Sequence, residues 1–163
     1  MAGMTNQELK ERLRRKDFDG YQHVLKTQGE LLFTLCHQLC LNIAKFEEEL
    51  FRATVRRAMK DLSGLEISVE LWLYGNLYRE WLAFSRAHNN LHAQYSALNF
   101  DWSRPIGRQA EDALAVFTPM RRVIFLYRFV AGFSLGLIQQ LSGLAERRLT
   151  DEFHEAVTKI SPL

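Results

Sequence analysis

The sequence predicts an all-α protein of two small helical modules joined by a linker, and three observations lead there. Apolar residues recur at three- and four-residue spacing along most of the chain, as on helices that bury one face. The strict alternation of a half-buried strand is nearly absent. Helix start and stop residues punctuate the pattern, and periodicity fades from His88 to Arg108. With 47% hydrophobic and 25% charged residues, the 163-residue chain can bury a core, which excludes a disordered chain, a collagen-like repeat and a disulfide scaffold.

Taken in order, Thr5 and Glu8 have the spacing of a capping box, so residues 1–20 read as a basic arm that opens as a short helix. Leu31, Leu32, Leu35, Leu39 and Ile43 mark the next helix. Another begins near Glu47, with Leu50, Phe51, Thr54, Val55, Ala58 and Met59 on one side; Glu48 and Glu49 add the negative charge a helix start favours. Ser63-Gly64 breaks it. Ser68 starts a further helix, with Leu71, Trp72, Leu77, Trp81 and Leu82 as its stripe, running to about Ala87 and closing a 21–87 module.

Residues 88–108 are the linker, rich in Asn, Ser, Gly and Pro. Tyr95, Leu98, Phe100 and Trp102 within it predict partial docking. The 109–163 module follows. A helix through Ala110, Ala113, Leu114 and Phe117 leads to Thr118-Pro119, a cap with proline at the first helical position. The next helix carries Val123, Ile124, Tyr127 and Val130 and stops at Ala131-Gly132. Ser134 caps a short helix through Leu141, Gly143 allows a tight turn, and Ala145 to Val157 forms the last helix. Short helix, glycine turn and longer helix make the helix-turn-helix plan.

Function is harder to read. Lys10, Arg12, Arg14, Arg15 and Lys16 face only Glu8 and Glu11 in the first sixteen residues, while the whole chain carries just +2. The arm is either a solvated terminus or a contact for phosphate or a partner. Cys36 and Cys40 sit one helical turn apart, without a second ligand cluster, and read as buried thiols. His88 and His92 share that spacing, but no Glu follows His88 and no third ligand is evident. Phosphate-binding glycine loops, nucleophile elbows and dinucleotide fingerprints are missing, so the expectation is no enzyme, no metal and no cofactor. The longest apolar run, Val123 to Leu137, is interrupted by Arg128, and the N-terminus lacks an apolar signal core. The chain is therefore expected to be cytoplasmic and off the membrane.

Pro119, Arg122, Phe125, Leu126, Gly132, Phe133, Ser134, Ile138, Leu141, Gly143, Leu144, Leu149, Phe153 and Ala156 resemble, without a gap, region 4 of bacterial extracytoplasmic-function sigma factors. Glu48-Glu49-Leu50, Arg57-Ala58-Met59 and Trp72-Leu73-Tyr74 likewise resemble region 2 of that family. The resemblance implies a transcription regulator that binds the RNA polymerase core through Glu48, Glu49, Arg52, Arg56 and Arg57. It also implies promoter-facing positions at Trp72, Tyr74, Tyr78 and Arg79, although core packing accounts for Trp72 and Trp81 as well. In the helix-turn-helix, Ser134, Glu146, Arg147, Arg148, Thr150 and Asp151 would face DNA.

The departures point to a degenerate member. The recognition-like helix sets Arg147 and Arg148 against Glu146, Asp151, Glu152 and Glu155, so phosphate contacts are few. Gly75, Asn76 and Tyr78 stand where region 2 usually has cations. An activator that rides on polymerase while a partner protein reads the promoter is the leading expectation; similar sigma-like regions occur in activators of phage-derived gene-transfer particles. A mimic that captures an anti-sigma factor, like the sigma-like domain of alphaproteobacterial stress regulators, is the second. An unrelated helical interaction protein is the third.

Overall fold

The computed structural model describes residues 4–88, 114, 115 and 117–160, and it is all-helical, with no strand among them. The helices are α1 (Asn6–Arg14), α2 (Phe18–Leu39), α3 (Ala44–Lys60), α4 (Val69–Ala87), α5 (Pro119–Phe129), α6 (Leu135–Ser142) and α7 (Glu146–Ile160), with a 3-10 turn at Ser63–Glu66. Four side-chain caps sit where the sequence places them. Thr5 accepts from the Glu8 amide at 3.1 Å, Ser68 from Leu71 at 3.0 Å, Thr118 from Arg121 at 3.3 Å and Ser134 from Leu137 at 3.1 Å, each satisfying an otherwise orphaned helix donor.

Two boundaries differ from expectation. α2 starts at Phe18, capped by Asp17, and stops at Leu39 instead of running through Ile43. The chain turns there through left-handed Leu41 (φ 55°) and Asn42 (φ 64°). Such backbone is unfavourable for a leucine, and complete burial of its side chain compensates. α3 consequently begins at Ala44, ahead of the glutamates.

α4 lies at the centre, packed against α3 and the 3-10 turn and against α5 and α6, while α2 packs on α3 and α5. Trp72 through Tyr78, seven consecutive residues, are all buried, as in a helix covered all round. Trp72 donates its indole N–H to the Ala58 carbonyl at 2.8 Å. Gly64 lets the 3-10 turn rest on α4, since a Cβ there would lie 2.9 Å from the Trp72 Cα. One cluster of buried residues runs from Leu9 to Ala156 through both parts of the chain. The expected linker, apart from His88, lies outside the described residues, as do Ala110 and Ala113. Leu114, Ala115 and Phe117 are buried. No helix among the described residues is long and apolar enough to cross a membrane.

Candidate nucleic-acid and partner interface

α6 and α7 meet at Gly143, whose φ of +73° is open to glycine at little cost. Its amide closes α6 on Gln139 O at 2.8 Å. Glu146, Arg147, Arg148, Thr150 and Asp151 then stand exposed on α7. Their freedom is limited. Thr150 Oγ1 donates to the Glu146 carbonyl at 3.0 Å, Arg148 Nε donates to Glu152 at 3.2 Å, and the Ser134 hydroxyl is used by its cap.

Glu152 and Glu155 differ from expectation. Both accept from Arg121 on α5, at 2.6 Å each; Glu152 is thereby turned away from an approaching phosphate, while Glu155 stays exposed. Arg121 and Glu152 are buried, at 8% and 9% exposure. The cause is periodicity: Leu149, Glu152, Phe153 and Ala156 share the face of α7 turned to α5. A carboxylate on that stripe calls for a cation on the facing helix, a signal the sequence carried in Glu152 and Arg121.

The region 2-like aromatics are corrected more sharply. Trp72, Tyr74 and Tyr78 are buried at 1%, 0% and 8% exposure, so they line no groove for an unstacked base. Tyr74 Oη donates to Gln28 Oε1 at 2.6 Å, and burial pushes its phenol and that of Tyr78 up. Arg79 is half exposed and donates to Asp61 at 3.3 Å and to Asn76 at 3.2 Å.

On α3, Arg52 and Arg56 are exposed. Arg52 lies 3.9 Å from Glu48 one turn earlier, and Arg56 donates to the Arg52 carbonyl. Glu49 lies 3.8 Å from His88. Arg57 is engaged by Glu80 across to α4 at 2.7 Å. Arg56, Arg57, Lys60 and Arg79 line an open cleft of about 470 Å³ between α3 and α4, with Asp61 and Glu80 as its acidic members.

The basic arm is a docked helix. Leu9 and Leu13 are core residues, and buried Lys10 pairs with Glu66. Arg12 reaches Asp19 at 3.3 Å and Asp17 at 3.6 Å, and Arg15 lies 3.9 Å from Glu11. Arg14 and Lys16 are exposed. Cys36 and Cys40 are fully buried; burial pushes the Cys36 thiol up to about 12 and the Cys40 thiol higher still, which makes both poor nucleophiles. His37 contacts Glu47 at 2.7 Å. His88 packs against Phe46 and Phe84, while His92 lies outside the described residues.

Arg122, matched in the sequence as a family position only, is buried with its guanidinium over the Trp81 ring. It donates to the carbonyls of Leu39, Leu114 and Ala115 at 2.8, 2.9 and 3.3 Å. Burial pushes it down to about 10, so it stays charged at neutral pH. No protein-family model matches the chain, and no curated protein is detectably similar to it.

Proposed function

We propose that this chain is a sigma-like transcription regulator that associates with the RNA polymerase core and leaves promoter reading mainly to a partner protein. The observation that supports this most is the recognition-like helix: a complete helix-turn-helix frame on which Arg148 is already engaged by Glu152. Phosphate neutralisation supplies most non-specific affinity, and α7 has little to offer. Contact with polymerase falls to the exposed Arg52 and Arg56 face of α3, in the cytoplasm of a bacterium. Burial of Trp72 and Tyr74 favours a second reading, in which the chain captures an anti-sigma factor and touches no DNA.

The test is retention of purified bacterial core polymerase on the immobilised chain. Retention should fall at least several-fold in an Arg52→Glu, Arg56→Glu variant whose thermal stability is unchanged. Undiminished retention would remove the α3 face from the account. Failure to bind core at all, with tight binding of a small helical anti-sigma protein, would establish the second reading.

A further inference from the structure

Three large apolar side chains left exposed, Phe18 (72%), Leu25 (55%) and Phe33 (45%), stand on one face of α2 at seven- and eight-residue spacing. Phe33 meets Phe51 of α3 edge-on, ring centres 6.0 Å apart, and half-buried Val55 and Met59 continue the α3 side of that face. Between the two helices runs an apolar groove with a hollow of about 60 Å³, bounded by Leu25, Gly29, Leu32, Val55, Met59 and Leu73. It has room for the end of one aliphatic side chain.

Gly29 keeps the hollow open. It lies in the interior of α2, where glycine weakens a helix, and the fold does not require it. A Cβ there would meet Leu25 at 4.0 Å, an ordinary contact, whereas one at Gly64 would strike α4.

Charge on this face is one-sided. Arg52 and Arg56 precede Val55 and Met59 by three residues and so flank the groove on α3; Lys60 stands one turn further on, and Lys26 flanks the groove on α2. These four exposed cations share the face with two exposed acids, Glu30 and Glu48, and Glu48 lies 3.9 Å from Arg52. An isologous contact sets a patch against its own copy, here cation against cation, which weighs against a second copy of this chain. A concave apolar strip with a basic rim is complementary to a helix that carries an apolar stripe edged with carboxylates.

We infer that the α2–α3 groove is a docking site for an acidic amphipathic helix of a partner protein, which seats one aliphatic side chain over Gly29 and sets carboxylates on Arg52 and Arg56. Those two arginines are shared with the polymerase reading, but the groove does not rest on it, because it selects a shape and a charge.

The test is a display library of helical peptides of about 18 residues, or five turns, with a fixed stripe of Leu and Phe and every other position drawn from Glu, Gln and Lys. Selection on the immobilised intact chain should enrich Glu over Lys beside the stripe. A selected peptide, measured by fluorescence anisotropy, should bind about tenfold more weakly to Gly29→Leu, which fills the hollow while the melting temperature is kept. It should weaken about as much on Arg52→Glu, Arg56→Glu, and exchanging its flanking Glu for Lys should restore that binding; a variant that had merely lost its fold would not be rescued. Recovery of basic or neutral peptides, of none, or of peptides indifferent to Gly29→Leu would overturn the site. So would a dimer in sedimentation that Gly29→Leu abolishes, or adsorption to phosphatidylglycerol vesicles that Leu25→Ser, Phe33→Ser abolishes, since the occupant would then be a second copy or a membrane. Polymerase is absent from every arm, so this test and the retention experiment can fail separately.

Discussion

The outward faces of α3 and α7 carry the same kinds of charge in different ways. On α3, Arg52 and Arg56 interact within their own helix, and Arg57 reaches Glu80 through a partly exposed pair (41% and 22% side-chain exposure). On α7, Glu152 is buried under Arg121. Counting charges along each helix makes α7 look acidic and α3 basic. Burial changes that count: the α7 carboxylate of Glu152 is spent on the fold, while Glu155 pairs with the same arginine yet stays exposed, and two α3 cations remain on the surface. What a helix offers a partner is the charge left after its own packing is satisfied.

The comparison breaks first if Arg121 proves dispensable. Arg121→Met leaves buried Glu152 with, among the described residues, only the exposed Arg148 for company, a rupture expected to cost about 3 kcal/mol and to lower the melting temperature by about 6–12 °C. Urea and thermal unfolding measure both; a loss below about 1 kcal/mol would place Glu152 among ordinary surface charges. Adding Glu152→Met should recover much of the loss, because both buried charges are then gone. Arg57→Met, by contrast, should cost no more than about 1 kcal/mol, its pair being partly solvated.

Acid produces the smallest effect. The hydroxyl and amide of Ser63 hold the Asp61 carboxyl below its usual range, and Lys10 does the same for Glu66. Both carboxyls have lower pKa values folded than unfolded. Their stabilisation is therefore complete above roughly pH 4–5 and is lost as pH falls through the folded values. The urea midpoint should drop across that acid range, and Glu66→Gln should remove the share belonging to α1. An unchanged acid profile in that variant would mean that the Lys10 pair does not couple α1 to the 3-10 turn.

Local signals were the legible ones. Thr118-Pro119, Ser134 and Gly143 mark α5, α6 and the turn into α7 through contacts spanning only a few residues. The first half of α2 is hard to read because Gly20 and Gly29 lower its intrinsic preference and tertiary packing decides. Lys10 looks like a free cation in sequence, yet its partner Glu66 lies 56 residues away. Trp72 and Tyr74 fit either a groove or a core by composition; enclosure of α4 from both sides puts them in the core. Glu152 was readable in part, through its place on the Leu149 stripe.

Salt dependence of duplex DNA binding tests the central claim most directly. Deleting residues 1–16 to silence the arm would strip Leu9 and Leu13 from the core, so Arg14→Gln, Arg15→Gln and Lys16→Asn are the better background; asparagine tolerates the φ of 57° at position 16. With Arg147 and Arg148 the only cations in the N-terminal half of the recognition-like helix, log K against log salt should have a slope of magnitude no greater than about 2. Binding should be weak and indifferent to sequence. Nanomolar, promoter-selective binding by that variant at physiological salt, without polymerase or a partner protein, would contradict the account.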